Sequence, residues 1–409
     1  MKNSLIVNQK SQKPPFRFSS FAFIALCGYL GLLALSYIEF IPMALSSLAL
    51  YGYILLGAVT LVIYKEPRFS AVSMWLFTFV LICLFSCIYS VSRSVSLSTT
   101  IEMAKVFLFS FILYNIVDTK DRVERILMVT SLSTTLLIVY LIYTGDLFVE
   151  DERLGQELTG NANILAGLLM LGAFSSVYFI SFSKTRFKKG AFLISLLLQL
   201  FALSLTGSRK FFVLPVVLFC VMLALNTNRK GKRHVLIKSI FAIAIFLGVF
   251  WLLFNVDFFY NAIGYRMEGL LNLFSDSGKV DASTMVRSEL LNQSIEFWKR
   301  SPIVGNGIDC FKVLSGYGVY AHNNYGELLC DTGVLGAIAY SFVYIFLLKH
   351  LLKVKTDSPI KWYWVCLIIC LAIYDIGAVT YTSYRNHMLF VLAYLVTEKR
   401  NAGMLEFEY

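Results

Sequence analysis

The sequence is dominated by a succession of apolar segments, each about as long as a lipid bilayer is thick. They fall at residues 19–36, 42–64, 71–90, 97–117, 124–143, 163–182, 190–206, 210–225, 235–255, 328–348, 362–380 and 386–397. A helix crosses the hydrocarbon core with about 20 apolar residues. We therefore predict an all-α polytopic membrane protein with about twelve transmembrane helices. The segments within 19–64 and within 190–225 are separated by only a few residues, which leaves their division open.

The composition agrees with a protein solvated mainly by lipid. Hydrophobic residues make up 58% of the 409 residues and charged residues 15%, and the mean hydropathy is +0.71, more apolar than soluble globular chains. Twelve spans take up about 240 residues, so we expect residues 1–409 to form a single membrane domain. The basic segment 1–17 runs into the first apolar segment without a cleavage pattern, which predicts a retained span.

The basic residues set the expected topology. A net charge of +11 and a pI near 9.1 would suit a nucleic-acid-binding protein, but Lys and Arg occur in short runs between apolar segments. Cytoplasmic loops of membrane proteins collect such residues, and with the N-terminus inside, two thirds of the 36 basic residues fall on the cytoplasmic side. We predict that both termini are cytoplasmic and expect no nucleic-acid partner.

One segment outside the membrane is much longer than the others. Residues 256–327 lie on the outer face in this topology, and loops of this length are usually functional. The apolar positions within residues 288–300 predict an amphipathic helix on the membrane surface. Most of the eight cysteines lie in apolar segments, so no disulfide framework is expected, although a bond between Cys310 and Cys330 stays open.

His322 is the first candidate for chemistry. It is one of four histidines and stands at the outer water–lipid boundary with Asn323, Asn324, Tyr325 and Glu327 close by in sequence. An imidazole there can accept a proton from a hydroxyl at neutral pH. An interfacial histidine at a polar helix start fits the position about equally well.

Three arginines are candidates for binding phosphate. Arg209 follows Leu205-Thr-Gly-Ser at a tight outer turn, where a guanidinium can pair with two phosphate oxygens. A side chain that anchors a span end at the interface is the alternative. Arg266 and Arg287 in the long loop would suit a diphosphate if they converge with Arg209. Asp375 lies in an apolar segment without a sequence-near partner, so we expect it to face protein or a cavity.

Metal or cofactor chemistry is poorly supported by the sequence. No pair of Cys or His residues has ligand spacing, and neither a phosphate-binding loop nor a dinucleotide fingerprint occurs. We therefore predict no metal and no cofactor.

Four short segments follow one another between residues 155 and 345. They are Gly160-Asn161-Ala162-Asn163, Leu205-Thr-Gly-Ser-Arg209, Arg287 followed by Pro302-Ile-Val-Gly-Asn-Gly307, and Ala321-His322-Asn-Asn-Tyr-Gly-Glu-Leu-Leu329 leading into Gly333-Val-Leu-Gly336. In this order, and with the long loop in the matching place, they resemble the O-antigen polymerase and ligase superfamily, the membrane glycosyltransferases that move glycans from a polyprenyl diphosphate carrier. Ala162 stands where proline is frequent in that family.

The resemblance implies a GT-C-like fold and an inverting, metal-independent glycosyl transfer. It implies that His322 is essential near the acceptor hydroxyl and that Arg209 and Arg287 bind the donor diphosphate, with Arg266 as a second choice in the loop. Residues that would bind or orient a sugar are Asn161, Asn163, Asn323, Asn324, Tyr325, Glu327 and Asp375.

The form of the histidine segment favours a polymerase of O-antigen, capsule or exopolysaccharide in a bacterial inner membrane. Its donor and acceptor would both be polyprenyl-diphosphate-linked oligosaccharides, and membrane lipid, a chain-length regulator and a flippase would be its partners. The alternative within the family is an O-antigen ligase, whose acceptor is the lipid A-core. An alternative of another class is a secondary transporter, which twelve spans alone would suit but which predicts an internal repeat that we do not find.

Overall fold

The computed structural model describes residues 18–64, 67–148, 153–225, 232–271, 282–354 and 358–398, and this part of the chain is helical, without a strand. The first ten helices are α1 Phe18–Leu35, α2 Ala44–Tyr64, α3 Ala71–Tyr89, α4 Arg93–Ile116, α5 Lys120–Thr144, α6 Gln156–Thr159, α7 Ala162–Phe182, α8 Arg186–Leu205, α9 Arg209–Leu225 and α10 Lys232–Asn255. The others are α11 Asp257–Phe259, α12 Tyr265–Leu271, α13 Ala282–Arg300, α14 Phe311–Leu314, α15 Asn324–Lys353, α16 Pro359–Tyr374 and α17 Tyr384–Thr397.

Each of the twelve predicted apolar segments coincides with a helix. Within the described ranges, nine helices are long and apolar enough to cross a membrane: α2–α5, α7, α8, α10, α15, and α16 together with the 3-10 turn that continues it to Gly377. Helices α1, α9 and α17 have 18, 17 and 14 residues and fall outside that group. The prediction of a polytopic helical membrane protein is therefore confirmed, whereas the count of twelve spans is not.

Helix α7 is the centre of the bundle. Its apolar stretch is 83% buried, against 6% for α10 at the edge, and it packs against α5, α8 and α9. Small residues permit this close packing: a Cβ at Gly172 would lie 2.1 Å from Oγ1 of Thr134 on α5. The outward apolar side chains of α10 are those expected to face lipid.

The long loop is largely helical. Between α11 and α12 lies a π-helical turn, Tyr260–Gly264, and α13 spans 19 residues, longer than the amphipathic helix predicted at 288–300. Leu290 and Ser294 of α13 are buried, because this side of the helix packs against α15. The described part of the loop therefore contains the long helix α13 besides the short helices α11, α12 and α14. Protein covers part of the apolar face of α13 that we expected to lie on lipid.

The loop ends earlier than predicted, because α15 begins at Asn324 and not near residue 328. Asn323 caps this helix by accepting a hydrogen bond of 2.9 Å from the backbone N–H of Gly326. Further along, α15 bends at Gly333, whose φ is +64°. The segment 302–307 crosses α15 at this bend, where a Cβ on Gly333 would lie 2.3 Å from the carbonyl carbon of Ile303. A Cβ on Gly305 would likewise lie 2.4 Å from the carbonyl carbon of Asp331, so Gly305 of the third motif and Gly333 of the fourth permit backbone-to-backbone packing.

All eight cysteines are free thiols. Cys310 and Cys330, the pair for which a bond stayed open, are both buried without forming a disulfide.

Candidate functional site

The three predicted arginines and His322 meet at one cavity of about 690 Å³. Its polar lining comprises Arg153, Asn163, Ser208, Arg209, Lys210, Arg266, Thr284, Arg287, Ser288, His322 and Asn323. Its apolar wall comprises Val213, Leu214, Phe250, Phe254, Met267, Leu291, Ile373 and Ile376. The volume lies within the range of about 300–1,000 Å³ that is usual for ligand sites. The convergence that the sequence could only assume is therefore present in the fold.

The charged residues described in the lining of this cavity are all basic. Four arginines and one lysine line it, and no acidic residue is among its described lining residues. Like charges gathered in this way repel one another, so such a site favours an anionic ligand. Because the remaining wall is apolar, the arrangement suits a molecule with an anionic group and a hydrocarbon tail.

Arg209 joins the tight turn to the helices of the long loop. Thr206, Gly207 and Ser208 connect α8 to α9, and Arg209 is the first residue of α9. Its guanidinium donates to the backbone carbonyl of Arg266 and, over 2.8 Å, to Oγ1 of Thr284. The predicted turn therefore holds α12 and the start of α13 over the cavity.

Gly207 lets two guanidinium groups approach this turn. Its φ is +61°, and a Cβ there would lie 3.3 Å from Nε of Arg153, from Nε of Arg266 and from the carbonyl of Ala262. Glycine is the residue that adopts this conformation without steric cost. The Nε of Arg266 also donates to the hydroxyl of Tyr265 over 2.9 Å, which fixes the direction of its side chain.

Arg153 is a cavity residue that the sequence analysis missed. It lies between α5 and α6, and its guanidinium donates over 2.7 Å to the carbonyl of Thr206 and over 2.9 Å to Oγ of Ser208. Burial, together with repulsion from Arg266 and Arg287, lowers the pKa of Arg153 to about 10. The available signal was its position as the lone basic residue of an otherwise acidic loop.

Lys210, beside Arg209, is a second cavity residue that the sequence did not single out. Its ammonium donates to the backbone carbonyl of Gly377 and lies 5.0 Å from the centroid of the Tyr374 ring. The second arrangement is a cation–π contact. Both contacts tie the start of α9 to the end of α16.

His322 is held by the backbone on either side of it. Its φ is +55°, a left-handed conformation that costs about 1 kcal/mol for a residue with a side chain. The preceding N–H, of Ala321, donates to Oε2 of Glu327 over 2.6 Å, while Nδ2 of Asn323 donates to the carbonyl of Ile376 over 2.9 Å. The imidazole also packs on Tyr320, with ring centroids 4.3 Å apart.

The surroundings keep this imidazole neutral at physiological pH. Burial, followed by the positive charges of Arg287 and Lys210, lowers the pKa of His322 to about 4. A neutral imidazole has a lone pair free to accept a proton, so His322 is in the form that a general base requires.

The other predicted site residues divide into two groups. Asn163 and Asn323 line the cavity, whereas Asn161, Asn324, Tyr325, Glu327 and Asp375 are not among its lining residues. Asn161 caps α7 and donates to the hydroxyl of Tyr320 over 3.4 Å. Tyr325 donates to the carbonyl of Ala372 over 2.9 Å. Asn161, Asn324, Tyr325, Glu327 and Asp375 therefore contact the helices and connections that bear the cavity residues.

Asp375 has the partners that the sequence did not reveal. It is fully buried and accepts hydrogen bonds from Nδ2 of Asn324 over 2.9 Å and from the hydroxyls of Tyr344 and Thr380 over 2.6 Å each. These partners come from α15 and from the connection after α16. Asp375 thus fastens the start of α15, two residues after His322, to the end of α16.

Across the described ranges, no group of three or more His, Cys, Asp or Glu side chains is arranged to hold a metal ion.

Comparison with known families agrees with this geometry. A family model described as O-antigen ligase matches residues 194–341, a little over a third of the chain. The matched region begins in α8 and ends in α15, so it contains the Arg209 turn, α13 and the His322 segment. No curated protein matches the chain. The protein is a multi-pass membrane protein, and its residues 194–341 are similar to the O-antigen ligase family, which supports a relationship to the O-antigen polymerase and ligase superfamily.

Proposed function

We propose that this protein is a polymerase of a surface polysaccharide, either O-antigen, capsule or exopolysaccharide, that joins repeat units carried on polyprenyl diphosphate. The observation that carries the proposal is the cavity that His322 shares with four arginines and Lys210 and that has an extensive apolar wall. Cations suit the diphosphate, the apolar wall suits the polyprenyl chain, and a neutral imidazole suits activation of a sugar hydroxyl.

The proposed reaction is an inverting displacement without a metal. The acceptor hydroxyl attacks the anomeric carbon of the donor glycan and gives its proton to His322, while the bond from that carbon to the diphosphate oxygen breaks. The leaving polyprenyl diphosphate takes the bonding electrons. Arg209, Arg287 and Arg266 stabilise the charge that develops on it, and we add Arg153 and Lys210 to this group.

The remaining predicted residues have supporting roles in the proposal. Asn163 and Asn323 line the cavity and contact the sugars. Asn161, Asn324, Tyr325, Glu327 and Asp375 orient the segments that bear His322 and Arg209.

In the cell, the protein lies in the bacterial inner membrane with both termini in the cytoplasm and the cavity on the outer face. This orientation follows the distribution of Lys and Arg along the chain. The lipid-linked units would then be delivered by a flippase, and a chain-length regulator would act on the growing polymer. We expect residues 1–409 to work as one membrane domain.

An O-antigen ligase is the second candidate, because the matching family model carries that description. A ligase transfers the finished glycan to the lipid A-core. A deletion strain separates the two activities. A lipid A-core that bears single repeat units supports the polymerase, whereas full-length chains stranded on the carrier support the ligase.

Purified protein tests the polymerase directly. We expect it to lengthen the lipid-linked repeat unit in the presence of a chelator and without an ion gradient. Replacing His322 by Ala removes the proposed base, and general-base catalysis is worth about 10²–10⁴-fold, so His322→Ala should lower the rate by at least about 100-fold. His234→Ala, in the first turn of α10 and outside the cavity, is the matched control. Wild-type polymer length with His322→Ala would refute the role of His322.

A further inference from the structure

A second cavity, of about 320 Å³, adjoins the cationic one, and Arg153 lines both. Its other side chains include Tyr37 and Glu39 from the α1–α2 connection, Tyr140 near the end of α5, Asp146 just after α5, and Glu157 in α6. The smaller cavity is therefore built from two outer connections of the predicted topology. Its lining residues belong to none of the four sequence motifs.

The two cavities differ sharply in charge. The larger is lined by four arginines and Lys210 and by no acidic residue among its described lining, whereas the described lining of the smaller includes three carboxylates and, as its one cation, Arg153. A diphosphate would be attracted to the first and repelled by the second. Part of the substrate that carries hydroxyls and no negative charge suits the second.

The side chains of the smaller cavity are suited to sugars. Carboxylates accept strong hydrogen bonds from hydroxyl groups, and tyrosine presents a flat apolar ring together with a polar hydroxyl. Tyr140 is held in place by Phe40, which meets it edge to face at 6.0 Å between ring centroids. The three carboxylates are not grouped as a metal site among the described residues.

We infer that the smaller cavity is a glycan subsite, which binds uncharged or amino sugars of the donor repeat unit beyond the sugar attached to the diphosphate. This inference rests on the proposed function and assigns the substrate part that it leaves open. Arg153 marks the boundary, with the diphosphate on one side and the sugar chain on the other. Sugars that carry a carboxylate are excluded from this position by the charges of Glu39, Asp146 and Glu157.

The test compares two ligands on the purified full-length protein in lipid nanodiscs. One ligand is the lipid-linked repeat unit that accumulates in a strain lacking this protein, and the other is polyprenyl diphosphate bearing only the first sugar. We expect Tyr140→Ala and Glu157→Gln each to weaken binding of the repeat unit about tenfold and to leave binding of the single-sugar lipid within about twofold. Asp257→Asn removes an exposed carboxylate that lines neither cavity, and it should change neither.

Equal weakening of both ligands would overturn the subsite, because it would mean that the substitutions disturb the fold. Unchanged binding of both would overturn it as well. If the wild-type protein binds neither ligand, the proposed function fails together with the subsite. If Arg209→Ala abolishes binding of the single-sugar lipid while Tyr140→Ala and Glu157→Gln do not distinguish the two ligands, the subsite alone fails.

Discussion

The side-chain amide of Asn323 donates a hydrogen bond of 2.9 Å to the backbone carbonyl of Ile376. The next carbonyl, of Gly377, accepts from the ammonium of Lys210. The neighbour of His322 and the neighbour of Arg209 are therefore anchored to adjacent peptide groups of one short 3-10 turn, Asp375–Gly377. This turn therefore sets the distance between His322, the proposed base, and Arg209, the proposed diphosphate-binding residue.

Two substitutions at Asn323 separate its roles as helix cap and as anchor. Asn323→Ala loses both and should destabilise the protein by about 1 kcal/mol through the lost cap. Asn323→Asp can still accept from the N–H of Gly326 but cannot donate to Ile376. We expect thermal unfolding in detergent to be near wild type for Asn323→Asp, while the transfer rate stays low in both variants. Full activity of Asn323→Asp would show that the anchor is dispensable.

Replacement of Arg209 by Lys tests the geometry of its guanidinium. The wild-type side chain contacts the carbonyl of Arg266 and Oγ1 of Thr284 through two different nitrogens of its planar guanidinium, a geometry that the compact ammonium of lysine does not match. We expect Arg209→Lys to weaken binding of polyprenyl diphosphate about tenfold despite the retained charge. Thr284→Val, which removes one of the two contacts, should have a smaller effect. Equal binding by Arg209→Lys and wild type would mean that charge alone is sufficient.

A methyl group at Gly207 should disturb the arginine cluster. In Gly207→Ala the new Cβ meets Nε of Arg153 and of Arg266 at 3.3 Å, and the positive φ adds a backbone cost of about 1 kcal/mol. Gly316→Ala is the control, because Gly316 also has a positive φ, of +72°, but open space around its Cβ. We expect both variants to lose thermal stability, and only Gly207→Ala to lose affinity for diphosphate lipid.

The pH dependence of transfer should report the depressed pKa of His322. In the proposed mechanism the neutral imidazole is the active form, so we expect activity to fall as the pH decreases through the pKa of His322. For the free enzyme, kcat/KM should decline near pH 4, where the pKa of His322 lies. A bound diphosphate offsets the charges of Arg287 and Lys210, and the decline of kcat should therefore lie at a higher pH. A decline of kcat/KM near pH 6.5 would contradict the depressed pKa.

The sequence was sufficient for the helical architecture because the bilayer imposes a strict local rule. A span needs about 20 apolar residues in a row, and each predicted segment coincides with a helix. The exact ends of the helices depended on single capping residues instead. Asn323 caps α15, which therefore begins earlier than the apolar segment in the sequence. Helices α1, α9 and α17 are shorter than about 20 residues, so hydropathy alone does not establish them as spans.

The sequence by itself also singled out Arg209, Arg287 and His322, because each stands in a short motif at a predicted outer loop. It did not reveal Arg153 or Lys210 as cavity residues, nor the partners of Asp375. Those contacts join residues far apart in the chain, and they form only when α7, α9, α15 and α16 pack together. Local hydropathy predicted which segments form apolar helices, and short motifs indicated which side chains are candidates for the site. Tertiary packing decided which charges share one cavity, because electrostatic contacts depend on distance in space and not on separation along the chain.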